Sequence, residues 1–289
     1  MGVTCAELAL RDGRRWCLEA DDNPAARLVT CLAEVMQLPA CTGEGRRLRV
    51  RTGEHHRSAR RPGHPPPGRR VPQVLWRPDE ESPVECVVHP DWEHDALVHL
   101  VQLALVISQD AHTRRGVLLH AGLVERNGRG VLLAGPSGVG KTTLSERLPS
   151  DWHSRCDDTT LVVRDGQGDY WAHPWPTWSR FVPGGPGGSW NVPRAVQLQA
   201  IFCLNQAHLD QAELIGAGQA VCLIQNPDEP AWQVVTADKS SAERRALHLQ
   251  RFANLCDLAR AMPVYRLHVS LNGPYWREIE RVLGGGAGW

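Results

Sequence analysis

Lysine is almost missing from this 289-residue chain: Lys141 and Lys239 are the whole supply, and arginine carries the rest of the positive charge. That scarcity reads as a GC-rich coding bias, yet one of the two lysines falls inside a glycine-rich motif. Basic and acidic side chains number 32 each, so the formal net charge is zero. This balance excludes a broad electrostatic footprint for nucleic acid or an anionic membrane. Cys-x-x-Cys pairs and Cys/His metal spacings are also missing. The nine cysteines are scattered and odd in number, which predicts reduced thiols rather than a disulfide frame. No long apolar run occurs; the longest, ALVHLVQLALVIS at 96–108, is too short for a membrane span and reads as a buried helix. The opening MGVTCAELALRDGRR has no apolar segment after a basic start, so no signal peptide is expected. The expectation is a cytoplasmic protein with neither membrane nor nucleic-acid partner.

What is present is an ordinary core composition, 42% hydrophobic, arranged in short alternating elements. CAELALRDGRRWCLEA reads as a strand pair. NPAARLVTCLAEVMQL reads as a helix, with Leu28, Leu32, Val35 and Met36 forming an apolar stripe. A strand RLRVR follows. The stretch TGEHHRSARRPGHPPPGRR (52–70) is basic, Pro-rich and nearly free of apolar side chains, the composition of a mobile loop. Strands are then expected at VPQVLW and VECVVHP, and a helix at 92–111. RGVLLHAGLVERNGRGVLLAG reads as two strands around an Asn-Gly turn, the favoured two-residue hairpin signal. Further strands are expected at HSRC, TTLVVRD, GDYWAHP, IFCLNQA and PVYRLHVS. Helices are expected at 209–225, 241–261 and PYWREIERVL. Short apolar strands interleaved with helices imply an α/β sheet domain.

The second strand of the hairpin runs into Gly135-Pro136-Ser137-Gly138-Val139-Gly140-Lys141-Thr142, a complete G-x-x-x-x-G-K-[ST] pattern. Glycines there permit torsions that a β-carbon forbids, and consecutive N–H groups can cradle phosphate. Lysine at this place reaches the β/γ oxygens and the hydroxyl of Thr142 can ligate magnesium. A strand before and a helix after supply the context that the pattern requires. Residues 135–143, Thr143 included, are therefore candidates for holding ATP with Mg2+.

Pro149 stops the following helix early, and HSRC then leads into Asp157 and Asp158. Ligands collect at the carboxyl ends of parallel strands, so the pair is expected to open onto the crevice of Lys141. One carboxylate of the pair can hold the metal, directly or through water; the other can take a proton from an attacking hydroxyl. An Asp cap or turn before TTLVV is the simpler alternative. His120 lies on the expected strand before the hairpin turn, where a lone histidine is more often a hydrogen-bonded core residue. Arg180 reads equally as a steadying group for transferred phosphate or as an ordinary salt-bridged arginine. Trp171, Trp175, Trp178 and Trp190, interrupted by Pro and Gly, fit either a loop-wrapped core or a substrate platform. Gly184, Gly185, Gly187 and Gly188 would let that segment hinge as a lid.

LLHAGLVERNGRGVLLAGPSGVGKTTLSERL…SRCDDTTLVV resembles the HPr kinase/phosphorylase-like family, in which a histidine precedes the phosphate loop and an Asp-Asp pair follows one short helix later. The resemblance implies a P-loop sheet domain like the HPr kinase C-terminal domain, related to phosphoenolpyruvate carboxykinases, over residues 73–289. A small α/β unit over 1–72 precedes it. By position, the resemblance gives His120 a role in supporting the acidic pair, Lys141 and Thr142 contacts with phosphate and magnesium, Asp157 a share in holding the metal, and Asp158 the role of base. PTWSRF, GGSW, IFCLNQA and PVYRLHVSLNGPYWREIE are similar to SynChlorMet cassette ScmC-type proteins, HPr-kinase-related members of cassettes for ribosomally made, modified peptides. Related kinases phosphorylate lasso-peptide precursors. The implied function is an ATP/Mg-dependent kinase acting on a Ser/Thr hydroxyl of a peptide or small protein. The later Gly/Asn-rich signature of the bacterial HPr kinases is not recognisable here and the N-terminal region differs, so neither HPr nor phosphorolysis is implied. Homo-oligomers are a possible assembly. The alternative is a nucleotide-dependent peptide-binding or assembly factor with slow ATPase activity, in which the aspartates serve magnesium alone.

Overall fold

Gly13, at φ +87°, lets the chain reverse between β1 (Cys5–Ala9) and β2 (Arg15–Ala20), which pair antiparallel. Alternation then sorts the side chains: Ala6, Leu8, Trp16 and Leu18 are buried. Helix α1 (Asn23–Met36) begins at Asp22, whose carboxylate accepts from the Ala25 N–H at 2.9 Å. Its other oxygen accepts from the N–H and hydroxyl of Thr52, at the end of β3 (Arg46–Thr52), so one side chain fixes helix start and strand end together. The expected stripe of Leu28, Leu32, Val35 and Met36 is buried against this sheet. Each such side chain contributes roughly 1.5–3 kcal/mol by leaving water.

The computed structural model describes residues 5–53, 73–75, 82–225 and 239–284. Within them lie two β-sheets and six α-helices, a mixed α/β architecture. Thr52 closes β3, and the remainder of the expected 52–70 loop, from residue 54, lies outside the described residues. The first sheet has the order β1-β2-β3-β5-β4, with β4 (Gln73–Leu75) and β5 (Val84–Val88) as its last members. A division of the chain at residue 72 therefore falls inside this sheet. After a short 3-10 turn (Trp92–Asp95), α2 (Ala96–Thr113) packs into the same core; it is the expected buried helix.

The second sheet has nine strands. Its spine is β12 (Val196–Gln206), parallel to β8 (Arg129–Ala134) on one side and to β14 (Val264–Val269) on the other. β7 (Ala121–Arg126) runs antiparallel to β8 through the Asn127-Gly128 turn, where both residues have positive φ, as the hairpin signal requires. β9 (His153–Cys156) is antiparallel to β7, and so runs the same way as β8. β6 (Val117–Leu119), β10 (Thr159–Arg164) and β11 (Tyr170–Trp175) complete the other side. Among the helices, α3 (Lys141–Glu146) follows the glycine-rich loop, and α4 (Ala217–Ile224), α5 (Ser241–Ala261) and α6 (Trp276–Leu283) come later.

Three expectations need correction. The helix expected over 209–225 is divided: Gln211–Leu214 is β13, paired antiparallel with β14, and only 217–224 is helical. A partner strand more than fifty residues away overrides the local preference of QAEL. His120 is not in a strand interior; it occupies the one-residue break between β6 and β7. The cysteines are not nine separate thiols either, because Cys17 and Cys41 are joined as a disulfide. The loop after α1 runs along the free side of β1, with the Glu7 N–H donating to Pro39 O and the Cys41 N–H to Cys5 O, and this carries Cys41 to Cys17.

Candidate functional site

Strand directions assemble the site. Because β8 and β9 run the same way, the loop leaving β8 and the two aspartates leaving β9 emerge at one end of the sheet. Between them, antiparallel β7 starts at that end: Ala121 pairs with Ala134 and Leu123 with Cys156. His120, just before β7, is thereby placed beside both. No sequence period announces this convergence; it follows from one hairpin and one returning strand.

The loop itself depends on Gly138 (φ +79°) and Gly140 (φ +109°), both in backbone regions that L side chains rarely adopt. A Cβ at either position would meet no atom within 4 Å, so torsion rather than crowding requires glycine, and open space lies over the loop. Gln206, at the end of β12, donates through Nε2 to Val139 O at 3.3 Å and steadies the loop from below. Tyr275, fully buried, donates its hydroxyl to Leu144 O at 2.6 Å and anchors α3.

Lys141 is buried, and its ammonium donates to Gly135 O at 2.9 Å and Pro136 O at 3.1 Å. Its third contact is His120 Nε2, at 2.9 Å. An ammonium has no acceptor, so Nε2 must accept and the proton of a neutral imidazole sits on Nδ1. Nδ1 faces Asp158 Oδ1 at 3.3 Å. The result is a directed chain, Lys141 to His120 to Asp158. Burial pushes the Lys141 ammonium below its ordinary pKa, with Asp158 and Asp157 opposing. For Asp158, burial acts upward, but the hydrogen bond from His120 and the positive charge of Lys141 hold the carboxyl below the ordinary value. Asp158 is thus kept as a carboxylate.

Asp157 faces the other way. Its Oδ2 accepts from the Thr142 hydroxyl at 3.2 Å and its Oδ1 from the Thr177 hydroxyl at 3.0 Å. Arg180 Nη1 lies 3.7 Å from Oδ2. The expected residues therefore come together: His120, Lys141 and Asp158 on one side, Thr142, Asp157 and Arg180 on the other. The aspartates are not a simple turn cap, and His120 is not a core residue; it is half-buried between two charged groups. Thr143 is exposed on α3. Thr177 was not anticipated, although it stands three residues before Arg180 in PTWSRF; its small hydroxyl gave no sign of its partner.

Of the tryptophans, Trp175 and Trp190 are core residues, and Trp171 donates to Asp165 Oδ2 at 2.8 Å. Trp178 touches Phe181, which touches Trp190, at centroid distances of 5.9 and 6.0 Å. These contacts favour a loop-wrapped core over a free aromatic platform. Cys156, next to the acidic pair, has its thiol pushed up to about 11 by burial and offers no nucleophile at neutral pH.

Oxygen donors from a threonine and an aspartate, set side by side, have the hardness that Mg2+ selects, and the open glycine loop beside a buried ammonium has the character of a phosphate cradle. The residues present fit both groups. Among the described residues, no helix is long and apolar enough to cross a membrane. A search of curated proteins finds none that matches the chain. Residues 84–284, more than half of the chain, match the family described as SynChlorMet cassette protein ScmC. The chain belongs to the ScmC family.

Proposed function

We propose that the protein is an ATP/Mg-dependent kinase, with the HPr kinase type of P-loop site, that phosphorylates a Ser or Thr hydroxyl of a peptide. Membership of a family described as a SynChlorMet cassette protein supports a place in a biosynthetic cassette, and the resemblance in sequence makes a ribosomally made precursor the expected substrate. The observation that carries this reading is the Lys141–His120–Asp158 chain ending in an ionised carboxylate beside the glycine loop.

Bound ATP with magnesium would supply the transferable γ-phosphoryl group. The loop and Lys141 would position its phosphates, and Thr142 with Asp157 would hold the metal. Asp158 takes the hydroxyl proton as the acceptor oxygen attacks, and His120 fixes the orientation of that carboxylate. Arg180, 3.7 Å from Asp157, would balance charge on the transferred group. Positioning and electrostatics are what phosphoryl transfer mainly demands, since the protein need form no covalent bond to phosphorus.

Incubation with ATP and Mg2+ and candidate precursor peptides, chosen from any short reading frames near the gene, tests the reading. A mass gain of one phosphate on the peptide is expected. ATP turnover with no phosphopeptide from any neighbouring precursor would favour the assembly-factor alternative.

A further inference from the structure

The first sheet holds a cluster that the proposed kinase site does not use. Cys5 on β1, Cys17 on β2 and Cys41 in the loop after α1 bring their three sulfurs within 4.8 Å of one another. Cys5 Sγ is 3.0 Å from Cys17 Sγ. The strand register explains the first two: Cys5 pairs with Glu19 and Glu7 with Cys17, so all four share one face of the hairpin. Cys41 is held over that face by its own N–H to Cys5 O at 3.1 Å, and by Thr42, whose N–H and hydroxyl both donate to Glu7 Oε2.

A disulfide engages two of these sulfurs and gives no reason for a third to be gathered against them. Three convergent thiolates are a ligand set for a soft or borderline cation, with a fourth position left to solvent. One outer contact suits that state. The Gly43 N–H donates to Cys41 Sγ at 3.2 Å, as a donor to a metal-bound thiolate does. The carboxylates of Glu19 and Glu7 share this face, where Glu7 is bridged to Arg15 and Glu19 to Arg47 and Arg49, so the charge around the trio is balanced. Rigid support comes from a hairpin and a loop fixed to its edge, so no large ordering cost opposes binding.

We propose that, once reduced, Cys5, Cys17 and Cys41 bind one zinc-class divalent cation. A thiol reductant first gives two electrons and two protons to the Cys17–Cys41 pair and becomes a disulfide itself. The cation then displaces three thiol protons and forms three metal–sulfur bonds. The disulfide and the metal site are the oxidised and reduced states of one trio.

The experiment titrates the full chain, reduced and kept anaerobic, with Zn2+ against a chromophoric chelator and separately with Co2+. Wild type, Cys5→Ser and a control, Cys31→Ser on α1 outside the trio, are compared. One equivalent of Zn2+ and a sulfur-to-cobalt charge-transfer band are expected in wild type and Cys31→Ser. Cys5→Ser should bind at least about tenfold more weakly, since even outer partners of metal ligands cost that much. Zn2+ should also raise the thermal midpoint of wild type, reversibly by chelator, which reads the site without relying on the variant's folding. Equal affinity in wild type and Cys5→Ser, or no charge-transfer band in wild type, overturns the proposal.

Discussion

Lys141 and His120 meet at 2.9 Å through Nζ and Nε2, and that contact sets the proton on the far nitrogen, toward Asp158. A buried lysine thus holds a carboxylate ready by way of an imidazole rather than by touching it alone.

Removing the middle of that chain should be visible in a pH profile. His120→Ala should lower transfer about a hundredfold, within the range for a positioned proton-transfer group, with nucleotide affinity little changed. His120 helps hold Asp158 below its ordinary pKa, so its loss should also move the acidic limb of kcat to higher pH. Steady-state kinetics across pH for wild type and variant checks both; an unmoved limb contradicts the assignment.

Lys141 should cost the unliganded fold some stability at neutral pH. Its folded pKa lies below the unfolded value, so between the two the unfolded chain binds more protons, and stability rises with pH through that window. Lys141→Met removes the buried charge and the window together. It should lose nucleotide binding while matching or exceeding wild-type resistance to urea at pH 7, and the wild type should gain on it as pH rises toward 10. Denaturation midpoints at several pH values are the measurement.

Acid sensitivity should arise largely elsewhere. His173 is fully buried, with Nδ1 donating to Val192 O at 2.8 Å and Nε2 accepting from the Arg11 N–H at 3.2 Å. Burial lowers its pKa from 6.5 to about 4. As pH falls below 6.5 the unfolded chain takes up a proton that the folded chain refuses, a loss of roughly 3 kcal/mol by pH 4. His173→Gln should flatten that fall, as read from urea midpoints at pH 7 and pH 5.

Asp110, buried on α2, binds Arg46 from β3 and, at 3.1 Å, Arg14 from the β1–β2 turn. Asp110→Ala leaves two guanidinium groups in the core and should destabilise the protein by about 3–5 kcal/mol. Chemical denaturation of the variant reads this directly.

Much of this molecule was legible in its sequence where the signal was local. The α1 stripe, the Asn127-Gly128 hairpin and the strand–loop–helix around Lys141 each rest on contacts within a few residues. What escaped depends on pairing across distance. β13 is a strand because β14 lies beside it. By its local context alone His120 reads as a core histidine, and only the family resemblance sets it beside the acidic pair, because its reach to Asp158 depends on β7 starting where β8 and β9 end. The meeting of Cys5, Cys17 and Cys41 needs both a hairpin register and a loop laid along its edge. Sequence spacings of 12 and 24 between these cysteines carry no trace of either.

Asp158→Asn tests the central claim most directly, with ATP-Mg binding and peptide phosphorylation measured on the same preparation. The amide keeps the shape of the side chain and removes its ability to take a proton. We predict nucleotide binding close to wild type and loss of the phosphate mass gain on the precursor peptide. Phosphorylation at the wild-type rate by Asp158→Asn would contradict the account.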